Sequence, residues 1–371
     1  MVKSGQLKSD RLKSDRKPRA HRGASVESPS PAVTRAGRVA LVGRPNVGKS
    51  TLLNRLVGEP LAITSRHPQT TREPVRGVLT RGSTQFVFVD TPGLHTPKTR
   101  LGQRMNGASR HAARDADVVV LLAEAVSDPG SRARFEADLA VADEIDAIRS
   151  GRLVTVLAIT KIDRLEGKSA LLPLMAAASE KAGFTAIVPV SAKRDDGTDR
   201  LLDVLREHLP EQPFLFEPDT LTDQPARFFV AELVREQILA RITQEVPHGV
   251  AVAIDAFDEQ GAVARIDATV HVAREAHKKI LVGAQGSMIK AIGTAARANI
   301  ERLLDRRVHL ELHVRATPGW MDDEARLRDL GFVRSDLPLP ERVAALPRAD
   351  GAPDTKTSGV RGSPHGQGDP T

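Results

Sequence analysis

The sequence predicts an α/β domain, a mostly parallel sheet with helices on both faces, followed by a smaller α+β domain. Three observations predict this. Over residues 38–210, short apolar runs alternate with helical patterns, as strands and crossover helices do in a parallel sheet. Over 228–333, three alternating apolar/polar runs are interspersed with helices, as in a sheet with one open face. Finally, Gly43-Arg44-Pro45-Asn46-Val47-Gly48-Lys49-Ser50-Thr51 fits G-x-x-x-x-G-K-[ST], a loop that wraps phosphates.

Composition bounds the rest. A chain of 371 residues suits about two domains. Aromatics make up only 3%, with one Trp and no Tyr, so the cores must come from Val, Leu, Ile and Ala. The absence of Cys excludes disulfides, Cys-zinc sites and thiol catalysis, and suits a reducing cytosol. No apolar run approaches the roughly 18 residues of a membrane span. The basic N-terminus lacks an apolar h-region, so a secretory signal is not expected. Residues 1–38 hold ten Lys/Arg and three Asp/Glu, which accounts for the whole net charge of +7. The pI therefore says little about nucleic-acid binding by the folded domains.

The elements follow in order. Residues 1–37 contain a tandem repeat, Leu7-Lys8-Ser9-Asp10-Arg11 and Leu12-Lys13-Ser14-Asp15-Arg16, then a Ser/Pro-rich stretch. They read as a disordered basic arm, either a solvated tail or a salt-sensitive attractor of RNA or anionic lipid. Strands are predicted at Val39–Val42, Phe86–Val89, Val118–Leu122, Leu153–Ile159 and Ala186–Val190, with helices between them such as Lys168–Ala182 and Thr198–His208. Residues 211–227 are proline-rich, lack periodicity and read as a linker. Next, Val230, Leu233, Val234, Ile238 and Ile242 have helical spacing. Two alternations follow, then a turn at Gly283-Ala284-Gln285-Gly286, a helix, and a third alternation through Val308, Leu310, Leu312 and Val314. The order is α-β-β-α-α-β. Trp320–Leu330 reads as a short closing helix with Trp320 as a core cap, and 334–371 reads as a disordered tail.

Chemistry concentrates at the ends of the predicted strands, where ligands bind in such sheets. Gly43 and Gly48 let the backbone approach phosphates, Lys49 reaches the β and γ phosphates, and Ser50 offers a hydroxyl to Mg²⁺. Asp90-Thr91-Pro92-Gly93 supplies a carboxylate for Mg²⁺ and a backbone N–H near the γ-phosphate. Gln69-Thr70-Thr71-Arg72 lies in a polar loop, where Thr71 can complete the Mg²⁺ shell and make that loop a switch. Thr160-Lys161-Ile162-Asp163 ends a strand, and Asp163 can accept from guanine N1–H and N2–H₂, a donor pair adenine lacks. The backbone of Ser191-Ala192-Lys193 can meet guanine O6.

Each element alone is weak, but in this order, each after a strand, they form a joint signal. The set resembles the P-loop GTPases and, more closely, the Era family among them, from about residue 38 to 333. The resemblance implies a P-loop GTPase domain that binds GTP and GDP through Gly43, Asn46, Val47, Gly48, Lys49, Ser50, Thr51 and Asp90–Gly93. It places Lys49, Thr71 and Gly93 at the reacting phosphate and Ser50, Thr71 and Asp90 on Mg²⁺. Base contacts fall to Thr160, Lys161, Asp163, Ser191, Ala192 and Lys193. Two features stand out. Thr160 occupies the place of the usual Asn, whose amide in the family contacts guanine N7 and ties back to the P-loop. Weaker nucleotide affinity with guanine preference kept by Asp163 is expected. Leu94 stands where Ras-like enzymes carry a water-orienting Gln, implying slow intrinsic hydrolysis. By resemblance, Asn46 implies K⁺ as a further cofactor.

The turn Gly283-Ala284-Gln285-Gly286 is a GXXG loop between helices, the device by which KH domains clamp about four nucleotides. The element order is that of a type II KH domain, with Lys278 and Lys279 before the loop and Lys290 after it. His277–Ile280 and Gly319–Glu324 also resemble the Era family's C-terminal domain. The resemblance implies a monomer that binds 16S rRNA in the maturing small ribosomal subunit. It implies a cytoplasmic location with potential peripheral contact to the inner face of the cell membrane. Two other readings stand beside it: an RNA-binding protein with a degenerate GTPase, motivated by Thr160, and a P-loop kinase or ATPase with an incidental appendage.

Overall fold

The computed structural model describes residues 33–127, 131–148, 154–181, 183–242 and 246–332. The expected disordered tail, and the expected arm as far as residue 32, lie outside the described residues.

The first domain is a six-stranded sheet in the order β2-β3-β1-β4-β5-β6. The strands are β1 (Arg35–Val42), β2 (Val75–Arg81), β3 (Thr84–Asp90), β4 (Val118–Glu124), β5 (Val154–Thr160) and β6 (Ala186–Pro189). All neighbours pair in parallel except β2 with β3. Helices α1 (Lys49–Val57), α2 (Arg100–Asp115), α3 (Arg132–Leu139), α4 (Val141–Ile148), α5 (Leu171–Glu180) and α6 (Thr198–His208) cover the two faces. The central strand β4 is buried along its whole length, and separate apolar clusters form on the two sides of the sheet. The mostly parallel α/β architecture is therefore present.

Three boundaries differ from the sequence expectation. The domain begins at Arg35, inside the segment read as the arm, because the chain after α6 returns to its start. Ala36 N–H donates to Pro210 O at 3.2 Å and Arg35 pairs with Glu211. Strand β2 is unmarked by apolar alternation. It is an edge strand, and its Gly77 lies under α1, where a Cβ would come within 2.8 Å of Val57. The 211–227 segment is strapped to that edge. The backbone N–H groups of Leu215 and Phe216 donate to Gln85, Val78 N–H donates to Leu221 O, and Arg76 pairs with Asp223.

The second domain has a three-stranded sheet of β7 (Val250–Asp258), β8 (Val263–Val272) and β9 (Arg307–Ala316), in the order β7-β8-β9. β7 and β8 are antiparallel, β8 and β9 parallel. Helices α7 (Ala226–Arg241) and α9 (Ser287–Leu304) pack on one face through Val230, Val234, Ile238, Ile292, Ala296 and Ile300. α8 (Glu275–Val282) precedes α9, and α10 (Glu324–Asp329) closes the domain. The α-β-β-α-α-β order read from the sequence is observed.

Candidate nucleotide site and nucleic-acid surface

The turn from β1 to α1 is built on unusual backbone. Gly43 has φ 154°, and a Cβ there would lie 2.7 Å from Leu122 O. Asn46 and Gly48 are left-handed, at φ 66° and 106°. The turn delivers the chain to the N-terminus of α1, where unpaired N–H groups favour an anion. Lys49 is buried, and its Nζ donates to Gly43 O and Arg44 O at 3.1 and 3.0 Å. Burial pushes its pKa down to about 8, against the pull of Asp90 and Asp138. A phosphate group would supply the charge that this pocket lacks.

Ser50, Thr71 and Asp90 meet at one point. Ser50 Oγ donates to Asp90 Oδ2 at 2.7 Å, and Thr71 Oγ1 donates to the same oxygen at 3.1 Å. Asp90 is fully buried, and burial raises its pKa in spite of Lys49 and both hydroxyls. Its other oxygen, Oδ1, has no hydrogen-bond partner among the described residues. A buried carboxylate oxygen without a donor, next to two hydroxyls, fits a hard divalent cation. The residues following Asp90 are fixed against the P-loop. Thr91 donates to Leu41 O, Ser109 to Pro92 O, and a Cβ on Gly93 would come within 2.6 Å of Pro45 N. Leu94 is buried in the core.

The residues expected to read a base gather at the ends of β5 and β6. Asp163 accepts from Ser191 Oγ at 2.7 Å, and this bond is the main reason its carboxyl stays below the usual range. An ionised, oriented carboxylate is what a donor pair requires. Lys161 donates to Asn46 O and pairs with Glu124 at 2.8 Å. Arg55 of α1 donates to Ala192 O, tethering the Ser191–Lys193 turn to the same helix that opens at the P-loop. Thr160 donates to Val47 O at 2.6 Å, so a tie to the P-loop survives the exchange of Asn for Thr.

Sequence reasoning missed a network beneath these loops. Glu124, the buried last residue of β4, pairs with Arg134, Lys161 and Arg164. Its backbone N–H donates to Asp138, which pairs with Arg44 of the P-loop. The one available signal was an acid ending an otherwise apolar strand.

In the second domain, the GXXG loop joins α8 to α9. Gly283, Gln285 and Gly286 have φ of 73°, 49° and 78°, and a Cβ on Gly283 would sit 2.8 Å from Met288 Cβ. Ala284, Gln285, Lys279 and Lys290 are exposed, as is Ile280. Lys278 lies apart from them. It is half-buried and lines a polar cavity between the open sheet face and α10, with His271, His313, Arg315 and Arg326.

The two domains are physically joined. Arg72, next to Thr71, donates to Val250 O and lies over the Trp320 ring, 5.9 Å from its centroid. Burial, then the Arg235 charge, push the Arg72 guanidinium down to about 9. Arg235 of α7 donates to Thr70 O. Trp320 is fully buried with Leu101 and Met105 of α2, and its Nε1 donates to Gly249 O at 3.2 Å. Arg104 of α2 pairs with Glu324. Trp320 is thus a core residue, as read, but its core spans both domains.

Comparison with known proteins agrees with this geometry. A family described as a 50S ribosome-binding GTPase matches residues 38–159, and a KH domain family matches 245–320. GTPase Era of Ruminiclostridium cellulolyticum is 40% identical over 299 residues, covering 80% of this chain and 97% of that protein. An Aquifex aeolicus Era variant bound to GDP·AlF4⁻ matches with a TM-score of 0.74 at 34% identity, covering 81% of this chain and 99% of the other. Era in complex with MgGDPNP and nucleotides 1506–1542 of 16S ribosomal RNA matches with a TM-score of 0.75 at 35% identity and the same coverage.

Proposed function

The chain belongs to the GTPase Era family, and on that premise we propose a nucleotide-timed holder of the 3′ region of 16S rRNA in the maturing small ribosomal subunit. Family membership makes it a GTP-hydrolysing enzyme with an RNA-binding KH domain. No helix among the described residues is long and apolar enough to cross a membrane. The proposed setting is the cytoplasm, as a monomer, with the basic charge ahead of Arg35 attracted to RNA or to anionic lipid at the inner face of the cell membrane.

In this reading the α1 N-terminus and Lys49 hold the β and γ phosphates, Lys49 exchanging the Gly43 and Arg44 carbonyls for phosphate oxygens. Ser50, Thr71 and Asp90 would hold Mg²⁺, which neutralises charge on the β- and γ-phosphate oxygens. The Gly93 N–H reads the γ-phosphate. Asp163 reads the guanine donors, with Lys161 and the Ser191–Lys193 turn closing the base pocket. Buried Leu94 cannot orient water, so slow intrinsic turnover is expected. K⁺ beside Asn46 would add positive charge to the transition state, and equal turnover in K⁺ and Na⁺ would remove that part of the proposal. The KH domain clamps single-stranded RNA at Gly283–Gly286, with Lys279 and Lys290 nearest the loop and Lys278 behind it.

The observation that carries the coupling is the pair of bonds from the Thr71 loop to the KH domain, Arg72 to Val250 O and Arg235 to Thr70 O. A loop ordered by γ-phosphate would bias the docking of the domain bonded to it. The test is GTP turnover and RNA affinity with a 16S 3′-end oligonucleotide. Stimulated turnover, and RNA affinity that differs between GTP and GDP, are expected. No RNA binding in the GTP state and no stimulation would reject the coupled switch.

A further inference from the structure

We propose that Thr160 makes the base site blind to N7, so that the protein accepts a guanine nucleotide altered at N7 as readily as GTP. The inference rests on the guanine-nucleotide reading above. Guanine displays N7 and O6 as acceptors and N1–H and N2–H₂ as donors. Asp163 can meet the donors and backbone N–H groups can meet O6, but N7 needs a donor of its own.

Thr160 is the residue at the end of β5, and it is only 4% exposed. Its hydroxyl carries one hydrogen. Its oxygen lies 2.6 Å from Val47 O and 3.2 Å from Ala123 O, both pure acceptors. Two oxygens 2.6 Å apart require a proton between them, since lone pair against lone pair at that distance is repulsive. The hydrogen is therefore committed to Val47, and turning it toward a base would leave a buried carbonyl unpaired. A side chain with an amide has two N–H bonds and could serve both the carbonyl and the base. Threonine can serve only one.

The neighbouring side-chain donors are engaged as well. Lys161 Nζ goes to Asn46 O and Glu124. Arg164 goes to Glu124 at 2.8 Å. Asn46 Nδ2 goes to Arg66 O at 3.2 Å, and Ser191 Oγ to Asp163. Lys161 and Asn46 tie the P-loop to the base loop and the switch loop, and Arg164 and Ser191 brace the base loop against Glu124 and Asp163. Thr160, the side chain at the end of β5, thus has no hydrogen left for N7.

The test is competition of GTP, 7-deaza-GTP, ITP and ATP against a fluorescent GDP on the full chain. 7-deaza-GTP should bind within about twofold of GTP. ITP, which lacks one of the two donors for Asp163, should bind several-fold more weakly, and ATP more weakly still. Thr160→Asn should create a preference for GTP over 7-deaza-GTP of roughly three- to tenfold, one neutral hydrogen bond. Thr160→Ser, which keeps the hydroxyl, should behave as the parent. Parent protein that binds 7-deaza-GTP fivefold or more weakly than GTP overturns the inference while leaving the guanine reading intact. GTP no better than ATP and ITP would remove the guanine reading and the inference together. A Thr160→Asn protein with unchanged Tm and no preference overturns the assignment to residue 160.

Discussion

In the G domain the charges proposed to hold nucleotide and Mg²⁺, Lys49 at the start of α1 and Asp90 at the end of β3, are buried and shifted by that burial. In the KH domain Lys279, Gln285 and Lys290 stand exposed around two glycines. The contrast follows from the ligands. A triphosphate is small and dense in charge, so a few preorganised groups in a low-dielectric pocket act strongly on it. An RNA strand is long and read over a surface, so each exposed contact adds a little and salt screens it. A third region, around Trp320, belongs to neither pattern. It is an apolar and cationic joint between the two domains.

Trp320→Ala should have the largest effect. Losing a fully buried Trp from a core shared by Leu101, Met105 and Leu327 should cost about 3–5 kcal/mol. Denaturant unfolding would measure it, and a loss below about 1 kcal/mol would mean the domains are not locked there. Lys49→Ala should lower GTP turnover by roughly 10²–10³-fold and leave RNA affinity measured without nucleotide within about twofold. An equal loss of both would break the contrast between the sites. Ala284→Asp with Gln285→Asp should weaken RNA binding about tenfold by placing like charge against phosphate, with basal turnover unchanged. A full loss would make the loop as unforgiving as the P-loop.

The smallest effect concerns pH. Burial, with Glu232 adding to it and Arg235 opposing, pushes the Glu73 carboxyl up to about 7. Between about pH 4.5 and 7 the folded protein keeps that proton while an unfolded chain has released it. Its contribution to stability is thus complete below about pH 4.5 and is lost as pH rises through 7. Glu73→Gln should flatten this slope, by on the order of 1 kcal/mol, in Tm measured across that window.

Much of the site was legible. Gly43–Thr51, Asp90–Gly93, Thr160–Asp163 and Ser191–Lys193 each follow an apolar strand, and the parallel pairing of those strands puts them at one end of the sheet. Strand β2 was not legible because an edge strand over a helix shows no alternation. Nor was Lys278, whose place in sequence beside the GXXG loop says nothing of the side of α8 it occupies.

By itself the sequence determined the two domain classes, the strand-end motifs and the residue types proposed to meet phosphate, base and RNA, since these depend on periodicity and short-range spacing. Only the tertiary structure decided what each hydrogen and charge is used for. It joined Arg72 and Arg235 to opposite domains, put three cations on Glu124, and committed the single Thr160 hydrogen to the P-loop. The reason is physical: a motif fixes which donors exist, but burial and long-range packing fix which acceptors they must satisfy.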